Sequence, residues 1–231
     1  MKFSELTPAI FIKRSNRFVA GVRLEDGKVS SAFVPTTGRL TGVLKMGCRV
    51  WLEPTSDPTR KTPFTLMLAE LEHGGLCSVN AIFANTLFMQ AVQGGHLAAF
   101  PYPQIENEVP VGRSRLDFRL TDGSRTHWVE VKSVTYVQES VGMFPDAPTG
   151  RGRKHLLELA MLVAQGDQAS VVFIAQREDA QHFEPHESID PDFTQTLRQV
   201  RAQGVAVHAY RCQVSLEGIN IASEIPVKLL G

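Results

Sequence analysis

Gln104–Val134, QIENEVPVGRSRLDFRLTDGSRTHWVEVKSV, decides the fold. It reads as three successive strands. In the third, Trp128 to Val134, Val129, Val131 and Ser133 point one way while Glu130 and Lys132 share the other face. The middle strand alternates in the same manner, with Leu116, Phe118 and Leu120 on one face and Arg115, Asp117 and Arg119 on the other. A carboxylate on a central strand costs several kcal/mol if it is desolvated without a partner. A hard cation such as Mg²⁺ or Mn²⁺ offsets that cost, because carboxylate oxygens are its natural ligands. An Asp followed by Glu-x-Lys on the neighbouring strand is the arrangement a phosphodiester-cleaving site needs. The acids Asp117 and Glu130 hold the metal, and Lys132 orients a water and stabilises charge on the phosphate. The bland alternative is a strand-to-strand ion pair. Glu108, on the first strand, is a further acid that is either a third ligand or an exposed strand residue.

Downstream, Glu139–Gly152 is a loop rich in Gly and Pro, followed by a helix over Arg153–Gln165. Gln168–Gln176 is a near-continuous apolar strand of the kind buried on both faces. Asp190 as N-cap, Pro191 at the first helical position, Phe193, Leu197 and Val200 on one face and Gly204 at the end mark a further helix. Val205–Tyr210 is a strand, and the last residues are edge strands or a docked tail. The run Gly150-Arg151-Gly152-Arg153-Lys154-His155 falls at a helix amino terminus, where cations add to the positive end of the macrodipole. Folding alone disfavours them there, so Arg151, Arg153 and Lys154 are candidate phosphate contacts, against the alternative of a solvated basic loop. His155 has no partner identifiable from the sequence.

Upstream, Asn80 caps a helix running to Gln93, with Ile82, Phe83, Leu87 and Ala91 on its apolar side and Gly94-Gly95 ending it. Before it come short strands: Ala9–Lys13, Phe18–Leu24, Lys28–Val34, Cys48–Leu52, Phe64–Glu70 and Leu76–Val79. Asp26-Gly27 is a hairpin turn, Pro54–Pro63 a polar loop, and Thr36–Met46 has room for one short helical turn. The expected division is therefore a small β-barrel over 1–79 and a second domain over 80–231.

In residues 1–61, Lys2, Lys13, Arg14, Arg17, Arg23, Lys28, Arg39, Lys45, Arg49, Arg60 and Lys61 face only Glu5, Glu25, Asp26, Glu53 and Asp57. Phe11, Phe18, Phe33 and Trp51 are interleaved with them, as a base-stacking groove requires. The competing reading makes the aromatics barrel core, and Phe18 and Trp51 are assigned there. Arg14, Arg17 and Arg39, beside turns, are the candidate phosphate contacts.

Over all 231 residues, Lys plus Arg and Asp plus Glu both number 24, so any attraction for nucleic acid has to be local. Three scattered cysteines, Cys48, Cys77 and Cys212, argue against a disulfide scaffold and a zinc site. No apolar run reaches the length of a membrane span and the amino terminus has no secretory h-region, which points to the cytoplasm. Walker, dinucleotide and G-x-S-x-G motifs are absent.

Asp117 followed by Glu130-Val131-Lys132 resembles the motif of the PD-(D/E)xK nuclease superfamily, with Leu116 where the name has proline. The element order helix, three strands, helix, strand is similar to that superfamily's αβββαβ core. The stretches NEV-x3-RSRLDF, VEVKSVT and FPDAPTGRGRKHLLEL resemble the sugar fermentation stimulation protein A family of bacteria and archaea, over nearly the whole chain. That resemblance implies an oligonucleotide-binding barrel joined to a restriction-endonuclease-like domain, an α+β protein. It also implies DNA as partner and a link to regulation of maltose metabolism. Where the family carries Asn-Thr-Gly this chain has Thr36-Thr37-Gly38, without the asparagine amide. Two functions follow as expectations: a metal-dependent deoxyribonuclease, or a DNA-binding regulator that cleaves nothing. A metal-dependent hydrolase of a small phosphorylated substrate is a third. The sequence sets no oligomeric state.

Overall fold

The structure is a computed structural model that describes residues 1–112 and 114–229; Arg113, which opens the RSRLDF stretch, lies outside the described residues. The amino-terminal part is a mainly antiparallel six-stranded sheet: β1 (Thr7–Asn16), β2 (Val19–Leu24), β3 (Val29–Phe33), β4 (Arg49–Pro54), β5 (Phe64–Glu70) and β6 (Leu76–Ser78). The order is β3-β2-β1-β4-β5-β6, and β3 also pairs with β5 through Ala32↔Phe64 and Phe33↔Thr65, closing a five-stranded barrel. Closure removes the free edges that short strands otherwise expose. Gly27, at φ +83, makes the expected β2–β3 turn, and a single helical turn, Leu44 N–H to Leu40 O at 2.9 Å, lies between β3 and β4.

β4 and β5 do not alternate, because both of their faces are covered. Val50, Leu52 and Leu66 fill the barrel, while Trp51, Met67 and Leu68 join a second core with Ala84, Phe88 and Val129. The barrel and the second part therefore share apolar packing. The amino-terminal residues also leave the barrel: the Met1 ammonium donates to Ile219 O at 2.7 Å and Phe3 N–H to Glu217 O at 2.9 Å. Trp51 is buried as expected; Phe18 is not, being 43% exposed at the β1–β2 tip.

The second part follows the expected order: α1 (Ile82–Gln93), β7 (Gln104–Val111), β8 (Ser114–Thr121), β9 (Thr126–Val134), α2 (Gly150–Ala164) and β12 (Gln168–Ala175). Its six-stranded sheet runs β15-β14-β12-β9-β8-β7, where β14 is Ala206–Val214 and β15 Ile219–Glu224. β12 is parallel to both β9 and β14, and as a central strand is buried from Ala169 to Ala175. α1 covers one face of the sheet and α2 with α3 (Pro191–Ala202) the other. Among the described residues no helix is long and apolar enough to cross a membrane.

Three local expectations are corrected. Ile82 is 66% exposed, because the buried stripe of α1 is Ala84, Leu87, Phe88, Ala91 and Val92, and two residues turn a helix by about 200°. The segment expected as a loop from Glu139 contains β11 (Val141–Phe144), which forms a hairpin with β10 (Tyr136–Gln138) just before it and pairs with β13 (His182–Pro185) on its other side. Its turn residues, Glu139 at φ 50 and Ser140 at φ 66, adopt the left-handed pair that two-residue hairpins need, without the Asn-Gly that announces it. α2 begins at Gly150, three residues before Arg153, because Thr149 Oγ1 accepts the Gly152 N–H at 3.1 Å.

Asp190 ties two helix starts together. One carboxylate oxygen accepts the Phe193 N–H at 2.9 Å, capping α3, and the other accepts the Thr149 N–H at 2.7 Å, just before α2. Asp190→Ala should lower the unfolding free energy by about 2–3 kcal/mol in chemical denaturation, a lost cap plus a part-buried Thr149 N–H left without its partner. Asp190→Asn keeps the Phe193 bond only and should cost about half as much.

Candidate metal and nucleic-acid site

The β8–β9 ladder runs from Thr121↔Thr126 to Phe118↔Val129 and stops there. One step further, Asp117 and Glu130 are released from pairing, and the Val131 N–H donates to Asp117 Oδ2 at 2.8 Å. On the other side of β8, Asn107↔Phe118 and Val109↔Leu116 pair but Glu108, opposite Asp117, does not; it is left-handed at φ 57. A non-glycine residue in that region costs roughly 1–2 kcal/mol, and such strain gathers at functional sites. β8 is thus freed from both neighbours where it presents its acid.

Asp117 Oδ1 accepts from Asn85 Nδ2 on α1 at 2.9 Å. Glu130, 2% exposed, receives two donors on Oε1: Lys132 Nζ at 2.5 Å and His155 Nδ1 from α2. Because the acceptor is a carboxylate, the His155 proton sits on Nδ1. His155 Nε2 is then free to accept from Arg151 Nε, 3.4 Å away and one helical turn earlier. Glu130 Oε2 is buried with no protein partner. Burial, and then the charge of Glu130, push the Asp117 carboxyl up to about 6, against the opposing pull of Lys132, Val131 N–H and Asn85. For Glu130 burial also acts upward, but Lys132 and His155 together outweigh it and hold the carboxyl below its ordinary value.

Asp117, Glu130 and Lys132 line a cavity of about 450 Å³ between the two parts of the molecule. Arg17, Thr36, Thr37 and Gly38 come to it from the barrel, and Tyr136, Asp146, Thr149 and Arg151 from the second part. The barrel loop is fixed there: Asp146 Oδ2 accepts the Leu40 N–H at 3.1 Å, and a Cβ on Gly38 would sit 2.6 Å from that oxygen. Glycine is what permits this close approach.

The structure brings together only part of the expected set. Glu108 lies outside the cavity, 58% exposed and paired with Arg115 at 3.1 Å; it lines an adjoining depression with Lys154, Arg151 and His155. Arg14 is a buttress rather than a ligand contact: its guanidinium donates to Gly38 O at 2.6 Å, Arg39 O at 2.9 Å and Arg17 O. Arg153 is ion-paired with Asp192 of α3, Lys154 lies 3.7 Å from Glu158, and Arg39 is exposed outside the cavity lining. Arg17 and Arg151 are the candidate phosphate contacts that reach the cavity. Asn85 and the His155–Glu130 contact were not foreseen. The only local signal for Asn85 is a polar, helix-disfavouring residue beside the buried stripe of α1.

Among the described residues no three His, Cys, Asp or Glu side chains form a ready-made cation cage. Two carboxylates fit a Mg²⁺-type ion nonetheless, since such ions keep several waters and take substrate phosphate oxygens. The buried, partnerless Glu130 Oε2 is the donor that such an ion would satisfy.

Residues 12–79 match the family described as the SfsA N-terminal OB domain, and residues 82–218 the sugar fermentation stimulation protein RE domain. The sugar fermentation stimulation protein homologue of Moorella thermoacetica is 42% identical over 229 residues, covering 98% of each chain. That of Caldanaerobacter subterraneus is 40% identical over 220 residues, covering 95% of each. The solved structure of Pyrococcus furiosus SfsA in complex with Ca²⁺ superposes with a TM-score of 0.91 at 30% identity, over 99% of this chain and 98% of that one. Matched by both domains and along nearly its full length, the chain belongs to the sugar fermentation stimulation protein family.

Proposed function

We propose that this protein is a cytoplasmic DNA-binding nuclease that holds Mg²⁺ or Mn²⁺ between Asp117 and Glu130 and cleaves phosphodiester bonds. The observation that carries the reading is the pair of desolvated carboxylates lining one cavity, one of them with an orphaned oxygen beside Lys132. The αβββαβ order and the Asp…Glu-x-Lys spacing, similar to the PD-(D/E)xK superfamily, support it. So does the Ca²⁺ of the Pyrococcus furiosus relative, since Ca²⁺ and Mg²⁺ share a demand for oxygen ligands. The three cysteines are free thiols, in keeping with a reducing compartment.

In this reading each residue has a distinct task. Asp117 and Glu130 hold the cation, with Asn85 and the Val131 N–H fixing the first and His155 the second. A bound divalent cation supplies charge that stabilises the reacting phosphate and acidifies a water. Lys132 adds a second positive charge at the same carboxylate and orients the water. Arg17 and Arg151, one from each part of the molecule, hold the flanking backbone phosphates. Glu108, paired with Arg115, takes no part.

A second reading keeps DNA binding and drops cleavage, making the protein a regulator of the kind its family's link to maltose metabolism suggests. It is favoured by one observation: Lys132 and His155 already compensate Glu130 without a metal.

Lys132→Met separates the two. A nuclease should lose roughly 10²–10³ in cleavage rate while calorimetric Mn²⁺ binding survives. Wild-type protein inert on single-stranded, duplex and branched DNA with Mg²⁺ or Mn²⁺, with a variant that merely melts earlier, would favour the regulator.

The raised Asp117 carboxyl gives a pH dependence. The folded protein binds its proton more tightly than the unfolded chain does, so the stability Asp117 contributes is complete below about pH 4. It is lost as pH rises through about 6. Without metal, Asp117→Asn should therefore be the more stable protein at pH 7.5, by up to about 3 kcal/mol, with no gain at pH 4. Mn²⁺ should bind the wild type about tenfold more weakly for each pH unit below 6, because a proton must leave. An affinity flat between pH 5 and 7 would remove Asp117 from the metal site.

A further inference from the structure

Beside the cavity that Asp117 and Glu130 line, the barrel carries a second groove. Thr36 and Ala81 line the cavity, and their chain neighbours Pro35, Asn80 and Ile82 line the groove, of about 490 Å³, together with Phe33, Arg60 and Lys61. The surface of that groove is unusual for solvent. Ile82 is 66% exposed at its margin. Phe18, 43% exposed, stacks on Phe33 with ring centres 6.3 Å apart and planes 24° from parallel. The Arg60 guanidinium lies over the same Phe33 ring, 5.4 Å from its centre.

The tip that carries Phe18 is built to stay in place. Asn16 Oδ1 accepts the Phe18 N–H at 2.9 Å, the Val34 N–H donates to Phe18 O at 2.8 Å, and Arg14 holds Arg17 O. Arg17 and Phe18 are thus fixed as neighbours with different duties: the cation lines the cavity, and the ring stacks beside the groove.

We propose that this groove takes an unpaired nucleic-acid strand, whose bases stack on the Phe18–Phe33 pair while its backbone runs past Arg60 and Arg17 to the carboxylates. The inference rests on the nucleic-acid reading above and specifies its substrate as single-stranded. Exposed rings suit that ligand because an unpaired base offers its π-face, whereas a duplex shows its exterior of sugars and phosphates. Arg60, Lys61 and Arg17 supply the complementary charge, and the acid in the groove, Glu53, is engaged by Ser4 Oγ at 2.6 Å. Since net charge is zero, this local placement of cations is what binding has to use.

The test is fluorescence anisotropy in EDTA with the full chain, using a labelled single strand and the blunt duplex of the same sequence. The single strand should bind more tightly. Phe18→Ala should weaken it roughly tenfold, the effect of losing one stacked base, and leave the duplex affinity where it was. Val29→Ser removes an apolar side chain that is 70% exposed elsewhere on the barrel, and should change neither. A 2-aminopurine placed in the strand should be quenched on binding to wild type and less so with Phe18→Ala. Duplex binding as tight as single strand, or a Phe18→Ala affinity equal to wild type, overturns the proposal even if the protein cleaves DNA. Strand binding through Phe18 by a protein that cleaves nothing upholds it and removes only the chemistry.

Discussion

Two carboxylates lining one cavity, Glu130 buried and Asp117 half-buried, repel each other and lose part of their hydration, and much of the surrounding structure compensates for that. Lys132 comes from the same strand as Glu130, His155 from α2, Asn85 from α1, and the Val131 N–H from a ladder that stops one residue short. Compensation is incomplete: Asp117 remains an unusually reluctant acid and Glu130 Oε2 has no partner. A folded protein tolerates one such site because a few kcal/mol is a fraction of its stability. In the proposed reading, a cation bound between the two carboxylates would relieve the repulsion instead of adding to it.

The barrel matters to that site through packing. Trp51, Met67 and Leu68 are buried in the same core as Phe88 and Val129, so the barrel is anchored to α1 and β9 by apolar area. Asp146, and the glycine that makes room for it, pin the Thr36–Leu40 loop against the rim. Arg14 uses its donors on the carbonyls of that loop and of the β1–β2 tip. Arg17 and Arg151 thereby reach one cavity from segments 134 residues apart in the chain.

The sequence made the strands legible because charge alternated with apolar residues over Leu116–Leu120 and Val129–Lys132, and the helix after Asp190 because cap, proline and apolar stripe agreed. Other elements escaped for identifiable reasons. Glu139-Ser140 forms a left-handed turn with residues that carry no such signature. Phe18 reads as core by type, and only the closed barrel shows that its side chain lies outside. Arg14 and Arg17 are indistinguishable by composition, yet one is a buttress and the other faces the cavity. His155 and Asn85 meet their acids across 25 and 32 positions of sequence, which no local pattern encodes. Glu130 and Lys132 were legible because strand periodicity puts their side chains on one face of β9, and the β8–β9 register that sets Phe118 opposite Val129 adds Asp117 to that face.

The central claim is that Asp117 and Glu130 are an incomplete site that a divalent cation completes. Anomalous diffraction from crystals grown with Mn²⁺ tests it most directly. The expected result is a peak within about 2.5 Å of carboxylate oxygens of both residues, one of them the Glu130 Oε2 that has no partner in the protein alone. Full-length crystals at neutral pH with no peak there, and with Lys132 and His155 both still bound to Glu130, would contradict it.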